Sequence, residues 1–432
     1  QQYAIENMEE PGFEIFAGAG NPDRYKIISY LEKEKKYKVE KPYNPKSDSV
    51  NIYIENSLSI TGYISNDGSA FKNAIAQVFS VSEKFKSFAP HYVNSVIIPT
   101  DLNTENIVNI DGKAFTKGNV KSSNLDEIFK NILSATKENM LSILVSDCIY
   151  SLDKGGDASQ LLKRQQLLTQ RTFENKLNLN KDFTILVIKL ESDFSGIYFD
   201  KWDHAHNNFK QVRPFYILAM GNYEAVRYFK AKIDTTKPDG YRNFYTINSK
   251  NYSADIYHTL VIKKNNPSIF RPIDEFSDSN YVRGIEDPSV DEGTFSFTVA
   301  LDLSNLPVEN AYIKDIANYQ ITDGDYKIEK IEPFDPKLLQ PRDIRIIENS
   351  GCTPTHLITF AATSKKYESL RFSMKRKTPK WVATTGIEDD TDITKISGKT
   401  FGFLHLVNGI EEAYTSHSGN IPYYEILITI NN

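Results

Sequence analysis

The stretch Ile52–Tyr63, with the sequence IYIENSLSITGY, decides the fold of this chain. It begins with an apolar, β-prone run that ends in the carboxylate of Glu55, and the hydroxyls of Ser57 and Ser59 follow two and four residues later. A helical pattern comes soon after. A strand that stops here presents three hard oxygen ligands from one loop, and Mg²⁺ and Ca²⁺ prefer such ligands. The stretch therefore predicts a cation site at the carboxyl end of a strand.

Length and composition narrow the classes of protein that fit. A chain of 432 residues is too long for one ordinary core and predicts two domains. The net charge of -5 gives no reason to expect a nucleic-acid partner, and no stretch reaches the roughly 18 to 20 apolar residues of a membrane-spanning helix. Cys148 and Cys352 are the only cysteines, which excludes a disulfide framework and a thiolate metal cluster.

Residues 48–235 alternate between strand-like and helix-like segments, after a lead-in of residues 1–47. Short apolar runs predict buried strands, and helical spacing between them predicts helices on both faces of a doubly wound, mostly parallel sheet. The predicted strands are 50–55, 93–98, 141–146, 183–190 and 214–220; the predicted helices include 67–85, 125–133, 158–177 with Leu161, Leu162, Leu168 and Phe173 inward, and 223–233.

Residues 236–432 show a different pattern. Apolar residues alternate with polar ones from Phe295 to Leu301, from Leu370 to Met374 and from Tyr424 to Ile430. A period of two predicts antiparallel strands, and we expect an all-β, sandwich-like domain. Gly398–Tyr414 predicts a short inserted helix.

The segment Glu55-Asn56-Ser57-Leu58-Ser59 resembles the Asp-x-Ser-x-Ser signature of von Willebrand factor A domains. Ser123, in a second loop before a helix, is the best match for the family's Thr, and Asp147 follows a later strand where the family has an Asp. The resemblance covers residues 48–235. It implies a doubly wound α/β fold with Mg²⁺ or Ca²⁺ held by Glu55, Ser57, Ser59, Ser123 and Asp147. In the family, a partner's carboxylate fills the open position on the ion.

Two departures from the signature affect this expectation. Glu55 replaces an Asp and has a longer arm, which displaces the ion or admits a water, and Ser123 replaces a Thr but keeps the hydroxyl. Each residue also has a purely structural interpretation. Ser57 and Ser59 can bond to the backbone of a turn, Asn124 with Glu127 forms a helix N-cap, and Asp147 can end its strand.

Two other clusters are candidate metal sites. His204 and His206 project to the same side of an extended segment and, with Asp203 or Asp200, could bind Zn²⁺ in a metal-dependent hydrolase. The acidic run Glu388–Asp392 could hold Ca²⁺, although it lacks EF-hand spacing and an exposed turn explains it as well.

We expect a non-enzymatic binding, adhesion or scaffold protein that engages a protein, or a glycan, through the top of the A-like domain. The alternatives are the hydrolase at His204, His206 and Asp203, and a structural subunit whose metal site does not function. The composition, rich in Lys, Asn and Ile, and the missing initial Met suggest an extracytoplasmic protein of a bacterium.

Overall fold

The chain forms a mixed α/β structure, which we describe from a computed structural model. The described residues are 16–17, 21–22, 43–65, 69–115, 117, 124–152, 155–276, 281–350 and 352–431. Most of the predicted lead-in therefore lies outside them, apart from a short pairing of Phe16–Ala17 with Asn21–Pro22 and a 3-10 turn at Pro45–Ser47.

A seven-stranded sheet lies at the centre of the first part of the molecule. Its spatial order is β3-β2-β1-β4-β6-β5-β7. Strand β1 pairs in parallel with β2 and β4, and the other four pairings are antiparallel. The strands are β1 (Ser49–Glu55), β2 (Ser87–Val93), β3 (Ile97–Pro99), β4 (Met140–Ser146), β5 (Phe183–Phe199), β6 (Ala205–Asn222) and β7 (Tyr241–Ile247).

This sheet confirms part of the prediction and corrects part of it. The strand predicted at 50–55 lies between two parallel neighbours, as expected. The sheet is mixed rather than mostly parallel, because β5 and β6 form a long hairpin and β7 returns beside β5. The strand predicted at 93–98 is wrong. Asn94–Val96 form a turn between β2 and β3, in which the Asn94 amide donates to the Val96 carbonyl.

Helices cover both faces of this sheet. Along β1, Ile52 and Ile54 pack on the face that carries α2 and α6, and Tyr53 packs on the face that carries α4, α5 and α10. Leu168 of α5 was predicted to face inward, but its side chain is 39% exposed, so this prediction is wrong. The helices are α1 (Thr61–Ile64), α2 (Ala70–Ser82), α3 (Gly112–Phe115), α4 (Leu125–Ala135), α5 (Ala158–Leu179), α6 (Tyr223–Thr236), α7 (Asn310–Lys314), α8 (Pro341–Ser350), α9 (Lys380–Thr385) and α10 (Phe403–Ser418).

The later part of the chain is rich in small, mainly antiparallel sheets. Their orders are β8-β11-β14-β13, β9-β10-β19, β12-β15-β18 and the pair β16-β17. The alternating residues Phe297, Phe372 and Ile426 are buried in one apolar core, as predicted. The strands are β8 (His258–Val261), β9 (Ser268–Phe276), β10 (Tyr281–Val290), β11 (Ser296–Leu301), β12 (Tyr319–Asp323), β13 (Tyr326–Pro333), β14 (His356–Ala362), β15 (Leu370–Met374), β16 (Gly386–Ile387), β17 (Thr400–Phe401), β18 (Tyr424–Ile428) and β19 (Ile430–Asn431).

Segments from beyond residue 235 complete the α/β part. Strand β7 closes one edge of the seven-stranded sheet, and helix α10, which confirms the predicted inserted helix, packs against α5. The Phe403 ring stacks on Tyr216 of β6 with 4.2 Å between centroids. The predicted boundary at 235/236 thus does not coincide with the end of the sheet. None of the helices in the described ranges is long and apolar enough to cross a membrane.

Candidate functional site

The candidate site begins where β1 ends. Strand β1 is buried on both faces, so the chain leaves the sheet at Glu55 with a carboxylate that is only 1% exposed. A 3-10 turn at Leu58–Ile60 then leads directly into α1. The Ser57 hydroxyl donates to Glu55 Oε1 at 2.8 Å, and the hydroxyls of Ser57 and Ser59 lie 2.8 Å apart. Three predicted ligands therefore converge in one loop.

The neighbouring strand β4 supplies the second half of the site. The Ser146 hydroxyl donates to Glu55 Oε2 at 2.5 Å, so both carboxylate oxygens of Glu55 accept a serine hydroxyl. Asp147 follows directly, is 2% exposed, and accepts the Ile149 amide at 3.2 Å. Burial, and then the negative charge of Glu55, raise the pKa of Asp147 to about 7. A hydrogen bond between Asp147 and Ser59 lowers this pKa. The same bond shows that Asp147 belongs to the cluster of Glu55, Ser57 and Ser59.

Buried amides fix the loop beside this cluster. Asn56 is fully buried, and its Nδ2 donates to the Lys117 carbonyl at 2.7 Å. Asn94 Nδ2 donates to Asn56 Oδ1 at 3.0 Å, which ties the end of β2 to the end of β1. Ser123, the remaining predicted ligand, lies outside the described residues. Asn124 caps α4 by accepting the Asp126 amide at 2.9 Å, as its structural interpretation predicted.

Arg213 is a part of this cluster that the sequence did not reveal. Its side chain is 1% exposed, and neither Nη1 nor Nη2 has a hydrogen-bond partner of normal geometry among the described residues. The guanidinium lies 4.3 Å from the centroid of the Tyr198 ring, a cation–π contact. Burial alone would lower the pKa of Arg213, but Tyr63, Tyr198 and Asp147 outweigh it and raise that pKa. Its charge and that of Asp147 therefore act on each other.

The arm that carries Arg213 also holds the site loop in place. Beyond the body of the sheet, residues 191–213 of β5 and β6 continue as a two-stranded arm that contacts α1. A Cβ on Gly62 would lie 2.3 Å from the Phe194 ring, so only glycine fits there without a shift. The Tyr63 hydroxyl donates to the Pro214 carbonyl at 2.6 Å. The arm thus positions α1, and through it the loop of Ser57 and Ser59.

The oxygen spacing at this site fits a small divalent cation. Neighbouring ligands of an octahedral Mg²⁺ with bonds of about 2.0–2.1 Å lie about 2.9 Å apart. The separations from Glu55 Oε1 to Ser57 Oγ and from Ser57 Oγ to Ser59 Oγ, both 2.8 Å, match that edge. No group of three or more His, Cys, Asp or Glu side chains in the described ranges could hold a metal ion. The candidate ligand set relies instead on hydroxyls with two carboxylates.

The second predicted cluster forms with Asp200, one of the two acids predicted for it. Asp200 Oδ2 lies 3.2 Å from His204 Nδ1 and 3.1 Å from His206 Nε2. Asp203, the other predicted acid and the one preferred for the hydrolase, instead occupies a left-handed turn with φ of 59°. Burial opposes ionisation of Asp200, but hydrogen bonds from His206 and from the amides of Trp202 and His204 lower its pKa. Its oxygens are thus used by hydrogen bonds at the tip of the arm.

The acidic run Glu388–Asp392 is also engaged in local contacts. Asp390 is fully buried and accepts the Tyr198 hydroxyl and, at 2.9 Å, the Lys201 amide. Asp389 and Asp392 each accept the hydroxyl of the threonine two residues later. These contacts fasten the run to the arm and support the interpretation as a turn rather than the Ca²⁺ site.

Arg213 and Ser146 are the residues of this region that sequence reasoning missed, and the contact of Asp390 with the arm was not predicted either. The one available signal was an arginine, followed by Pro214, at the entrance to the apolar run of β6. Comparison with known proteins adds no assignment: no protein-family model, curated protein or solved structure matches this chain.

Proposed function

We propose that this chain is a non-enzymatic binding protein, whose α/β part is A-like and engages an acidic group of a protein partner through a divalent cation. The observation that carries the proposal is the convergence of Glu55, Ser57, Ser59 and Asp147 from the ends of two adjacent parallel strands. Ligands in open α/β sheets bind beyond the carboxyl ends of the strands. Ser123 belongs to the proposed ligand set as well.

Charge at the site supports an acidic partner. Glu55 and Asp147 carry two negative charges when both are ionised, and Arg213 carries one positive charge. A divalent cation would therefore leave the site with an excess of one positive charge. A carboxylate from outside is the group that neutralises such a site and completes the coordination of Mg²⁺ or Ca²⁺. A carboxylate-bearing glycan is the second kind of partner that fits.

Several finer features belong to this proposal. They are the doubly wound arrangement, a sandwich in the β-rich part with a spacer role, and an extracytoplasmic bacterial setting. No specific observation favours the hydrolase over the binding role: Asp200, one of its two predicted acids, lies beside the two histidines, but its oxygens accept hydrogen bonds within the protein. A structural subunit whose site holds no ion is the alternative that the following experiment separates.

Calorimetric titration with Mg²⁺ and Ca²⁺ tests the proposal. We expect saturable binding of one ion by the unaltered chain, and a loss of at least tenfold in affinity in Ser57→Ala because few protein oxygens compensate the dehydration of the ion. Ser65→Ala is the matched control, since Ser65 donates to the carbonyls of Gly62 and Ser195 in the same region. Negligible heat with the unaltered chain, or equal losses in both variants, would contradict the cation-dependent role.

A further inference from the structure

We infer that Arg213 sets the charge of the candidate cation site: its fixed positive charge weakens cation binding and strengthens binding of the partner's carboxylate. This inference rests on the proposed function and names a residue that regulates the same site. It is carried by the buried guanidinium of Arg213, which the pairing of β6 with β4 brings near the end of β4 and whose charge acts on the buried carboxylate of Asp147.

Among the described residues, Nη1 and Nη2 of Arg213 have no hydrogen-bond partner of normal geometry, although the Tyr63 oxygen contributes a hydrogen bond that raises the pKa of Arg213. A buried charge is costly unless it is paired and hydrogen-bonded. The two nearby phenols do not pair with it through their protons, because Tyr63 donates to the Pro214 carbonyl and Tyr198 donates to Asp390. Aromatic faces surround the guanidinium, with Phe194 and Phe209 both at 5.9 Å. The carboxylate whose charge acts on it is Asp147.

Arg213 is also next to a residue that holds the loop of the site in place. Pro214, the next residue, accepts the Tyr63 hydroxyl of α1, and α1 follows the Ser57–Ser59 loop directly. The guanidinium is buried among the rings of Phe194, Tyr198 and Phe209. Two like charges held in a buried site repel each other much more strongly than they would in water. A bound divalent cation must therefore share Asp147 with Arg213.

Two effects of opposite sign follow. Without the guanidinium, the two carboxylates would attract a divalent cation more strongly, so cation affinity should rise. The loaded site would then carry no excess positive charge, so the affinity of an incoming carboxylate should fall. A residue that only supports packing would weaken both affinities when altered.

The test compares Arg213→Met and Arg213→Gln with Arg213→Lys and Phe209→Leu. The first two variants remove the charge, Arg213→Lys keeps it, and Phe209→Leu removes packing near the guanidinium without changing charge. Circular dichroism selects the variants that fold, and either neutral variant suffices. Calorimetry with Mn²⁺ or Mg²⁺ gives the cation affinity. Broadening of the acetate methyl signal by the Mn²⁺-loaded protein gives the affinity for a carboxylate.

We expect cation binding about tenfold tighter in the neutral variants, with acetate binding several-fold weaker, while Arg213→Lys stays close to the unaltered chain. Equal or weaker cation binding in the neutral variants would overturn the inference and leave the proposed function standing. Binding in a neutral variant but not in the unaltered chain would support the inference and contradict a cation role for the native site. An absence of binding in every variant would overturn both.

Discussion

Two aspartates, Asp147 at the end of β4 and Asp200 at the tip of the arm, have almost equally little solvent exposure, yet the pKa values of their carboxyl groups shift in opposite directions. Asp147 is 2% exposed and Asp200 is 5% exposed. Burial and the charge of Glu55 raise the pKa of Asp147 to about 7, whereas hydrogen bonds outweigh burial and lower the pKa of Asp200. Asp147 lies deeper in the protein and beside the charge of Glu55, whereas Asp200 lies closer to the surface and accepts more hydrogen bonds, so burial, charge and donors all contribute to the difference.

The donors indicate what each cluster does. Asp200, at the tip of the arm, accepts two backbone amides and lies beside two histidine rings, so its oxygens are occupied within the protein. Asp147 accepts the Ile149 amide, and it is affected by the charges of Glu55 and of Arg213, whose Nη1 and Nη2 have no hydrogen-bond partner of normal geometry among the described residues. In a cluster with a purely structural role, each charged group is paired or hydrogen-bonded within the protein, as Asp200 is. A cluster that keeps like charges together is typical of a binding site.

The largest effect is expected from Asp147→Asn, measured in the presence of a chelator. Because the pKa of Asp147 is raised in the folded chain, the unaltered protein loses stability as the pH rises from about 4 through about 7. The variant keeps the side-chain shape without the charge. We expect its free energy of unfolding at pH 8 to exceed that of the unaltered chain by roughly 2 to 4 kcal/mol. Urea denaturation at pH 5 and pH 8 measures this, and an equal difference at both values would contradict it.

A smaller effect is expected from Glu55→Asp. The longer glutamate arm lets Glu55 accept both Ser57 and Ser146, and it holds the carboxylate among protein donors. The shorter aspartate matches the signature of the A domains and frees one oxygen for an ion. We expect Mg²⁺ binding about tenfold tighter, equivalent to about 1.4 kcal/mol. Calorimetry on both chains measures the change, and weaker binding in the variant would show that the arm length does not limit affinity.

The smallest effect is expected from Asp200→Asn, which tests whether the cluster at the tip of the arm has only a structural role. Since the pKa of Asp200 is lowered in the folded chain, its charge adds stability above about pH 4, and this stability is lost as the pH falls further. We expect a loss of about 1 kcal/mol at pH 7, with a smaller loss at pH 3. Cation affinity at the candidate site should stay the same. A changed Mg²⁺ affinity would mean that the two clusters are coupled through the arm.

Local pattern was sufficient to predict much of the sheet and its helices. The apolar run of β1 and the helical spacing of Phe71, Ile75 and Val78 are local features, and those residues are buried as expected. The strand predicted at 93–98 failed because apolar residues flank a turn in which Asn94 is fully buried and Val96 is 52% exposed. Apolar runs of this length do not reveal a turn.

The environment of the candidate site could not be predicted in the same way. The spacing of Glu55, Ser57 and Ser59 is local, so the sequence predicted their convergence. Arg213 reaches Asp147 only because β6 pairs antiparallel with β4, and the sequence predicted a mostly parallel sheet. Asp390 meets Tyr198 across an even longer sequence separation. Long-range strand pairing therefore determines the charge of the site and brings Asp147 to it, while local spacing determines the oxygens of Glu55, Ser57 and Ser59.

Anomalous scattering from crystals of the unaltered chain grown with Mn²⁺, an ion that also takes oxygen ligands, would locate the cation directly. We expect one strong peak at the carboxyl ends of β1 and β4, about 2.0 to 2.6 Å from oxygens of Glu55, Ser57 and Ser59, with Asp147 bound directly or through a water. A peak at the Asp200, His204 and His206 cluster instead, or no peak at the ends of β1 and β4, would contradict the proposed cation site.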